Sequence, residues 1–244
     1  NGRLEIDLLP HSQSRSRVAE SYRAFRAALL LSRAGGVKSI VITSSFPAEG
    51  KTSTAVNLAV VLAQLGKRVL LVDADLHRPR LHEIFHVSNR TGLVSILAEG
   101  LEPARAIVKT DIPDVFLVPS GPSSPNPSGL LASEAMSGFL DLARGDFDYV
   151  IVDAPPVAPV ADALLIGNQT DGAVICVKGG ETTREQVVRV RDRLLFSNVR
   201  ILGVLITNLP EERDRYKKGY LYEYYGVPAE PSKEKRVIAA ARTV

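Results

Sequence analysis

The stretch SSFPAEGKTST, residues 44–54, decides how this sequence can fold, because it stands between a short apolar run and a helical pattern. Except at its first glycine, residues 45–52 match G-x-x-x-x-G-K-[ST], the pattern of a glycine-rich loop that binds phosphate groups between a strand and a helix. Backbone N–H groups and the helix dipole would hold the phosphates, Lys51 would reach the β- and γ-phosphates, and the Thr52 hydroxyl would ligate magnesium. The first glycine of the pattern is replaced by Ser45. A helix start capped by a Ser/Thr-rich turn is the alternative interpretation.

Strand and helix patterns alternate along the rest of the chain. Apolar runs rich in β-branched residues predict buried strands at 39–43, 68–72, 115–118, 149–152, 173–177 and 201–207. Helical patterns lie between them at about 52–65, 92–98, 128–144, 160–167 and 183–197, and another helix, at about 14–33, precedes the first strand. The alternation predicts an α/β fold with a doubly wound, mainly parallel sheet and helices on both faces.

Length and composition indicate one folded domain with tails. The chain has 244 residues, 45% hydrophobic and 23% charged, which is ordinary for a globular protein. We expect an N-terminal segment at 1–36, a core at 37–210 and a flexible, tyrosine-rich tail at 211–244. The net charge is only +3, and the basic residues are scattered along the chain rather than gathered into an arm, so nothing supports nucleic acid as a partner.

The cysteine content and the lengths of the apolar stretches indicate the cellular compartment in which the chain works. The single cysteine, Cys176, excludes an internal disulfide framework and fits a reducing, cytoplasmic setting. No apolar stretch approaches the roughly 18 to 20 residues of a membrane-spanning helix, and no signal peptide is visible. The chain starts at Asn1 rather than methionine, which is compatible with a piece of a longer protein whose membrane segments, if any, were left out.

Carboxylates follow two of the predicted strands. The segment VLLVDADLHRP, 69–79, ends its strand with Asp73 and Asp75, whose spacing of two turns both to one side. The segment DYVIVDAPPV, 148–157, places Asp153 at the end of another strand. A lone aspartate there is usually a turn or helix cap, but three beside a G-K-T sequence can hold magnesium through water. One carboxylate would remain to orient or deprotonate an attacking hydroxyl.

At these residues the chain resembles the bacterial tyrosine kinases of capsule and exopolysaccharide synthesis, which are relatives of the partition and septum-positioning ATPases. The similarity covers nearly the whole chain, because the phosphate loop, a Walker-like motif ending in D-x-D and a second Walker motif come in the family's arrangement. The resemblance implies a protein-tyrosine kinase that uses ATP and Mg²⁺. It also implies that Asp75 and Asp153 serve the magnesium with Thr52, and that Asp73 is the candidate for activating the tyrosine hydroxyl, with Lys51 as the other catalytic residue.

Further nucleotide contacts are implied by the same resemblance. They fall on Ser45, Pro47, Ala48, Glu49, Gly50, Lys51, Thr52, Ser53 and Asn208. Asn208 stands where related ATPases often contact the base, and a strand-terminal turn residue is its alternative role.

Two features favour the kinase branch of the family over the partition branch. Partition ATPases carry an additional lysine near the start of the loop, which reaches the partner's nucleotide in the dimer, and this chain has Phe46 there. Glu20, Arg23 and Arg26 share one face of the N-terminal helix and resemble the E-x-x-R-x-x-R element used for ring assembly. A solvated helix face is the alternative for that stripe.

The end of the chain concentrates tyrosine. Five of the seven tyrosines fall within ten residues, at Tyr216, Tyr220, Tyr222, Tyr224 and Tyr225. Lysine and glycine surround them, which suits an exposed, flexible phosphoacceptor segment, although packing at an edge strand or a partner surface is the alternative. In the family such clusters are autophosphorylated in trans, and the added charge would loosen a ring held by tail docking.

Two hypotheses about function therefore stand. The first is a kinase that phosphorylates its own tail within a ring-type homo-oligomer at the inner face of the cell membrane. By the resemblance, its partners would be a transmembrane activator domain, in the same or a separate chain, and a cognate tyrosine phosphatase. The second is a partition-type ATPase switch that assembles with a membrane partner. The segment HEIFH, 82–86, matches the zinc pattern H-E-x-x-H, but no convincing third ligand accompanies it, and a helix beside the site is the favoured interpretation.

Overall fold

A seven-stranded sheet forms the centre of the computed structural model, which describes residues 8–14, 16–32 and 36–208. The strands are β1 (Ser39–Ser44), β2 (Val69–Asp73), β3 (Val108–Lys109), β4 (Val115–Val118), β5 (Tyr149–Asp153), β6 (Gly172–Lys178) and β7 (Ile201–Thr207). Their order is β3-β4-β2-β5-β1-β6-β7, and every neighbouring pair is parallel except β3 and β4. The prediction of a mainly parallel sheet is confirmed, and each predicted strand lies within one residue of its observed bounds.

Helices cover both faces of the sheet, as predicted. They are α1 (Leu9–Ser12), α2 (Arg17–Leu31), α3 (Lys51–Ala63), α4 (Leu81–Ile84), α5 (Leu93–Glu99), α6 (Pro103–Ala106), α7 (Pro127–Leu131), α8 (Glu134–Asp146), α9 (Asp162–Asn168) and α10 (Arg184–Phe196). Alternate strand residues face opposite cores: Val150 packs with α5 to α10, whereas Ile151 packs with α2, α3 and α4. Both cores are continuous because the strands carry apolar residues at nearly every position.

One predicted helix and several short elements differ from expectation. The single helix predicted at 128–144 is wrong, since α7 and α8 are separate. Ser133 breaks the run, because its extended backbone and its Oγ, which accepts a hydrogen bond from the Met136 N–H at 3.3 Å, start α8 afresh. The antiparallel strand β3 and the single turns α1 and α6 were not predicted, since two to four residues are too few to show periodicity.

The N-terminal helix α2 packs against α3. Its N-cap is Ser16, whose side chain accepts a hydrogen bond from the Ala19 N–H at 3.2 Å, and the helix buries Ala19 and Leu29. The guanidinium of Arg26 donates a hydrogen bond to the carbonyl of Val61 in α3. This helix is therefore attached to the core by packing and by a polar contact.

The strand order brings the loop and the carboxylates to one edge. Strands β2, β5 and β1 are neighbours, and Asp153 lies in register with Asp73 on one side and with Ile42 on the other. Open parallel sheets bind ligands outside the carboxyl ends of their strands, so this edge is where a site is expected. Within the described ranges, the search for a helix long and apolar enough to cross a membrane finds none.

Candidate active site

The phosphate loop lies between β1 and α3 and has the backbone shape that binds anions. Ala48 has φ of 64° and Gly50 has φ of 85°, so left-handed residues alternate with Glu49 between them. Such alternation turns successive N–H groups into one concavity, and the positive end of the α3 dipole adds to it. Gly50 is the N-cap of α3, and within the described ranges no side chain caps that end, so the capped-turn alternative is not what the structure shows. A helix N-terminus without a side-chain cap is suited to binding a phosphate group.

Ser45 fits its position in place of glycine. It directly follows β1, is fully buried, and does not have a positive φ, so a side chain causes no backbone strain there. Its Oγ is one of the buried polar atoms without a hydrogen-bond partner among the described residues. A buried hydroxyl left without a partner at a phosphate loop suits a polar ligand.

Ala48 carries the strain that glycine would avoid. A Cβ in the left-handed region costs roughly 1–2 kcal/mol, and glycine gives back part of this through its flexibility when unfolded. We expect Ala48→Gly to raise the free energy of unfolding by roughly 0.5–1 kcal/mol. Ala27→Gly, on the exposed side of α2, is the matched control and should lower it by a similar amount, roughly 0.5–1 kcal/mol. Urea denaturation measures both, and a loss of stability in the first variant would contradict the assignment of strain.

Lys51 sits among the carboxylates at the strand ends. Its Nζ lies 2.7 Å from Asp75 Oδ2, 3.6 Å from Asp153 Oδ1 and 3.3 Å from Thr52 Oγ1. Burial would lower the pKa of Lys51, but the charges of Asp153 and Asp75 outweigh it, and the pKa is raised above 10.5. The lysine is therefore a fixed cation next to the loop, held where a phosphate would arrive.

The environment of Asp73 strongly favours the protonated form of its carboxyl group. It is fully buried, and burial together with the charge of Asp153 raises its pKa from 3.8 to about 8. Its Oδ2 accepts hydrogen bonds from the N–H groups of Leu81, at 3.0 Å, and Arg80, at 3.1 Å, while Oδ1 has no hydrogen-bond partner in the part of the chain that the structure describes. A carboxyl group with a pKa near working pH and one free oxygen suits proton transfer.

The residues present fit a magnesium ion that completes its shell with ligands from elsewhere. Asp75 and Asp153 are 4% and 1% exposed, and Asp153 Oδ1 has no hydrogen-bond partner within residues 8–14, 16–32 and 36–208. Burial raises the pKa of Asp153 despite the Lys51 charge. Among the described residues, no three His, Cys, Asp or Glu side chains form a metal-binding group by themselves. Mg²⁺ usually takes one or two carboxylates and fills its remaining positions with phosphate oxygens and water, so Thr52 and these two aspartates suffice.

The zinc pattern at 82–86 is not a zinc site in this fold. Helix α4 ends at Ile84, and His86 has φ of 54°, so the two histidines do not lie one turn apart on a helix. The Leu81 N–H at the start of this helix donates to Asp73 Oδ2 at 3.0 Å, so the helix lies beside the site, as the favoured interpretation holds.

The remaining predicted residues lie around this centre or apart from it. Pro47 and Ala48 are exposed on the loop, Thr52 is buried and Ser53 partly buried on α3, and Asn208 follows β7 directly with φ of 50°. On α2, Glu20 and Arg23 pair with each other at 2.9 Å. The five tail tyrosines lie outside the described residues.

A further buried carboxylate, Asp162, was missed by sequence reasoning. It is fully buried, lies 2.8 Å from His77 Nε2, and accepts a hydrogen bond from Ser128 Oγ at 2.5 Å. It thereby joins the loop that follows β2 to helix α7. Its partners are 85 and 34 residues away in sequence, so no local pattern signals the cluster.

Loop, lysine and strand-end carboxylates together define the P-loop NTPase class. The ParA family, described as NUBPL iron-transfer P-loop NTPase, matches residues 37–215. Tyrosine-protein kinase YwqD of Bacillus subtilis is 36% identical over 92% of this chain and 93% of its own. The kinase domain of the Escherichia coli tyrosine kinase ETK has a TM-score of 0.80 and 32% identity, over 83% of this chain and 80% of its own. The chimerical protein CapA2B2 has a TM-score of 0.80 and 35% identity, over 84% of this chain and 90% of its own. The chain belongs to the bacterial tyrosine-protein kinases, within the P-loop NTPases.

Proposed function

We propose that the chain transfers the γ-phosphoryl group of ATP to protein tyrosine, using Mg²⁺. The observation that carries the proposal is the cluster of Lys51, Asp75 and Asp153 at the phosphate loop, with the free oxygen of Asp73 beside it. Loop N–H groups and Lys51 bind the phosphates and align the γ-phosphorus with the acceptor. Magnesium, when bound, neutralises charge that develops on the phosphates.

Asp73 is the residue that we assign to the acceptor hydroxyl. As the phenolic oxygen bonds to the γ-phosphorus, the bond from that phosphorus to the β–γ bridging oxygen breaks, and ADP leaves. The phenolic proton passes to Asp73 Oδ1, and the two N–H groups on Oδ2 hold the carboxyl in place. A group with a pKa of about 8 takes a proton from a phenol of pKa about 10 more readily than an ordinary aspartate would.

The acceptor within the chain is the tyrosine cluster of the tail. Its five residues, with Lys217, Lys218 and Gly219 among them, form a polar acceptor segment in sequence. The proposed division of the chain is a 1–36 segment, a 37–210 core and the 211–244 tail. We propose transfer in trans, from the site of one copy to the tail of another.

We also propose how the kinase assembles and where in the cell it acts. Glu20 and Arg23 would contribute to a ring-type homo-oligomer, whereas Arg26 already contacts Val61 within its own chain. A transmembrane activator domain would hold the kinase at the inner face of the cell membrane, and a tyrosine phosphatase would reverse the modification. By the resemblance, the pathway served is capsule or exopolysaccharide synthesis and export.

A nucleotide-dependent switch remains the second candidate, since the ParA match covers residues 37–215. Phe46 counts against it, because an exposed aromatic ring, rather than a lysine, stands at the start of the loop.

Intact-mass measurement separates the two functions. After incubation of the purified chain with Mg-ATP, we expect added phosphate groups that map to the tail tyrosines. An unchanged mass accompanied by phosphate release would contradict the kinase and support the switch.

A further inference from the structure

The side chain of Glu49 is buried inside the phosphate loop, where a carboxylate is not needed to bind phosphate. It is 5% exposed, and both of its oxygens have partners. Oε2 accepts a hydrogen bond from the Phe46 N–H at 2.8 Å, which closes residues 46–49 into a tight turn. Oε1 accepts a short hydrogen bond from the hydroxyl of Thr182. The carboxylate thus links the loop to a different part of the chain.

Thr182 is itself held in place by the turn that follows β6. Its N–H donates to the Lys178 carbonyl at 3.0 Å, and its Oγ1 accepts from the Lys178 N–H at 3.1 Å. Because the hydroxyl accepts from the backbone, its single proton is directed to Glu49. The relay runs from the Lys178 N–H through the Thr182 hydroxyl to a buried carboxylate.

A second contact fixes the other side of the loop. The Thr207 hydroxyl, at the end of β7, donates to the backbone carbonyl of Glu49 at 2.8 Å. A Cβ built on Gly50 would lie 3.2 Å from the Thr207 Cγ2, so this threonine also packs closely on the loop. Residue 49 is therefore held through its side chain by Thr182 and through its backbone by Thr207.

We infer that Glu49 and Thr182 are positioning residues that hold the phosphate loop in its nucleotide-binding shape. The inference rests on the proposed use of the loop for ATP. A loop with left-handed residues at 48 and 50 has few contacts of its own, and without the carboxylate the Phe46 N–H would lose its partner. Nucleotide binding would then have to order the loop, and this free-energy cost would weaken the affinity for nucleotide.

Thr182→Val is the direct test, because valine has the shape of threonine without the hydroxyl. The buried Glu49 oxygen loses its donor, and a cleft of about 180 Å³ beside it, lined by Phe46, Lys178 and others, gives the carboxylate room to leave the loop. We expect the dissociation constant of Mg-ADP to rise about tenfold. Thr182→Ser keeps the hydroxyl and should bind within about twofold of the parent.

The readout separates positioning from general stability. Fluorescent ADP titration gives affinity, thermal unfolding without nucleotide gives stability, and tyrosine phosphorylation gives KM for ATP and kcat. We expect a higher KM with kcat nearly unchanged, since the interaction aids binding in the ground state and the transition state alike. Thr170→Val removes a hydroxyl bonded to the Gly167 carbonyl, away from the loop, and should leave affinity unchanged.

The outcomes are distinguishable. Equal affinity of the parent and the Thr182→Val protein, whatever their stabilities, would overturn this inference alone. Equal loss in the valine and serine variants would also overturn it, because the hydroxyl would then not be the cause. If the parent binds no nucleotide, the proposed function fails, and the inference fails with it.

Discussion

Replacing Lys51 with methionine should abolish phosphorylation, with a fall in activity on the order of 10³-fold or more. Methionine keeps the length and apolar stem of lysine but not the cation that lies 2.7 Å from Asp75 and 3.6 Å from Asp153. The γ-phosphate would lose the charge that a phosphate-loop lysine supplies. Initial rates of tail phosphorylation at saturating Mg-ATP measure the effect, and a loss of tenfold or less would contradict the assigned role.

The same substitution should also destabilise the protein in a pH-dependent way. Removing one partner of a buried ion pair costs about 3–5 kcal/mol, because the remaining carboxylates stay buried without compensation. The loss should be smaller near pH 5 than near pH 8, since buried carboxylates whose pKa is raised, such as Asp153, take up protons. Lys67→Met is the matched control, because that lysine is 46% exposed and pairs at 3.5 Å with the exposed Asp148. It should change neither activity nor stability appreciably.

Replacing Asp73 with asparagine should reduce phosphorylation by roughly 10²–10⁴-fold while Mg-ADP still binds. The amide oxygen can accept the hydrogen bonds of Arg80 and Leu81, so geometry is kept and only the proton acceptor is lost. In the parent, activity should rise with pH toward about 8, as Asp73 ionises. The variant should lack that rise, and a variant that keeps both rate and pH profile would contradict the role of Asp73.

The stability of this variant should change in the opposite direction to its activity. A carboxyl group whose pKa is raised from 3.8 to about 8 stabilises the fold when protonated, fully so below pH 4, and this contribution is lost as pH rises to 8. Asparagine never ionises, so Asp73→Asn should gain roughly 2–5 kcal/mol over the parent at pH 8 and little at pH 4. Denaturant titrations at both pH values measure the difference.

Asp148→Asn provides the control of opposite sign. That carboxylate is exposed, and the Arg68 N–H, which donates to it at 2.9 Å, lowers its pKa. Its contribution is present above the unfolded pKa and lost on acidification, so the asparagine variant should be slightly less stable than the parent at pH 8. A gain in both variants would contradict the electrostatic explanation for Asp73.

The fold was largely predictable because its strands are buried on both faces and therefore appear as continuous apolar runs between turn residues. Asp73 and Asp153 were also found from sequence, since a parallel sheet places strand ends at one edge. The break at Ser133 was missed because the apolar pattern continues across it, and only the cap reveals two helices. The contacts of Glu49 with Thr182 and of Asp162 with His77 join residues 133 and 85 positions apart, which single-sequence patterns do not encode.

Transfer in trans can be tested by mixing two chains that are each unable to label themselves. One carries Lys51→Met and keeps its acceptors, and the other keeps its site but has phenylalanine at Tyr216, Tyr220, Tyr222, Tyr224 and Tyr225. With Mg-ATP, we expect phosphate to appear on the Lys51→Met chain in the mixture and on neither chain alone. Absence of phosphate from the Lys51→Met chain in the mixture, under conditions in which the parent labels itself, would contradict transfer in trans to the tail.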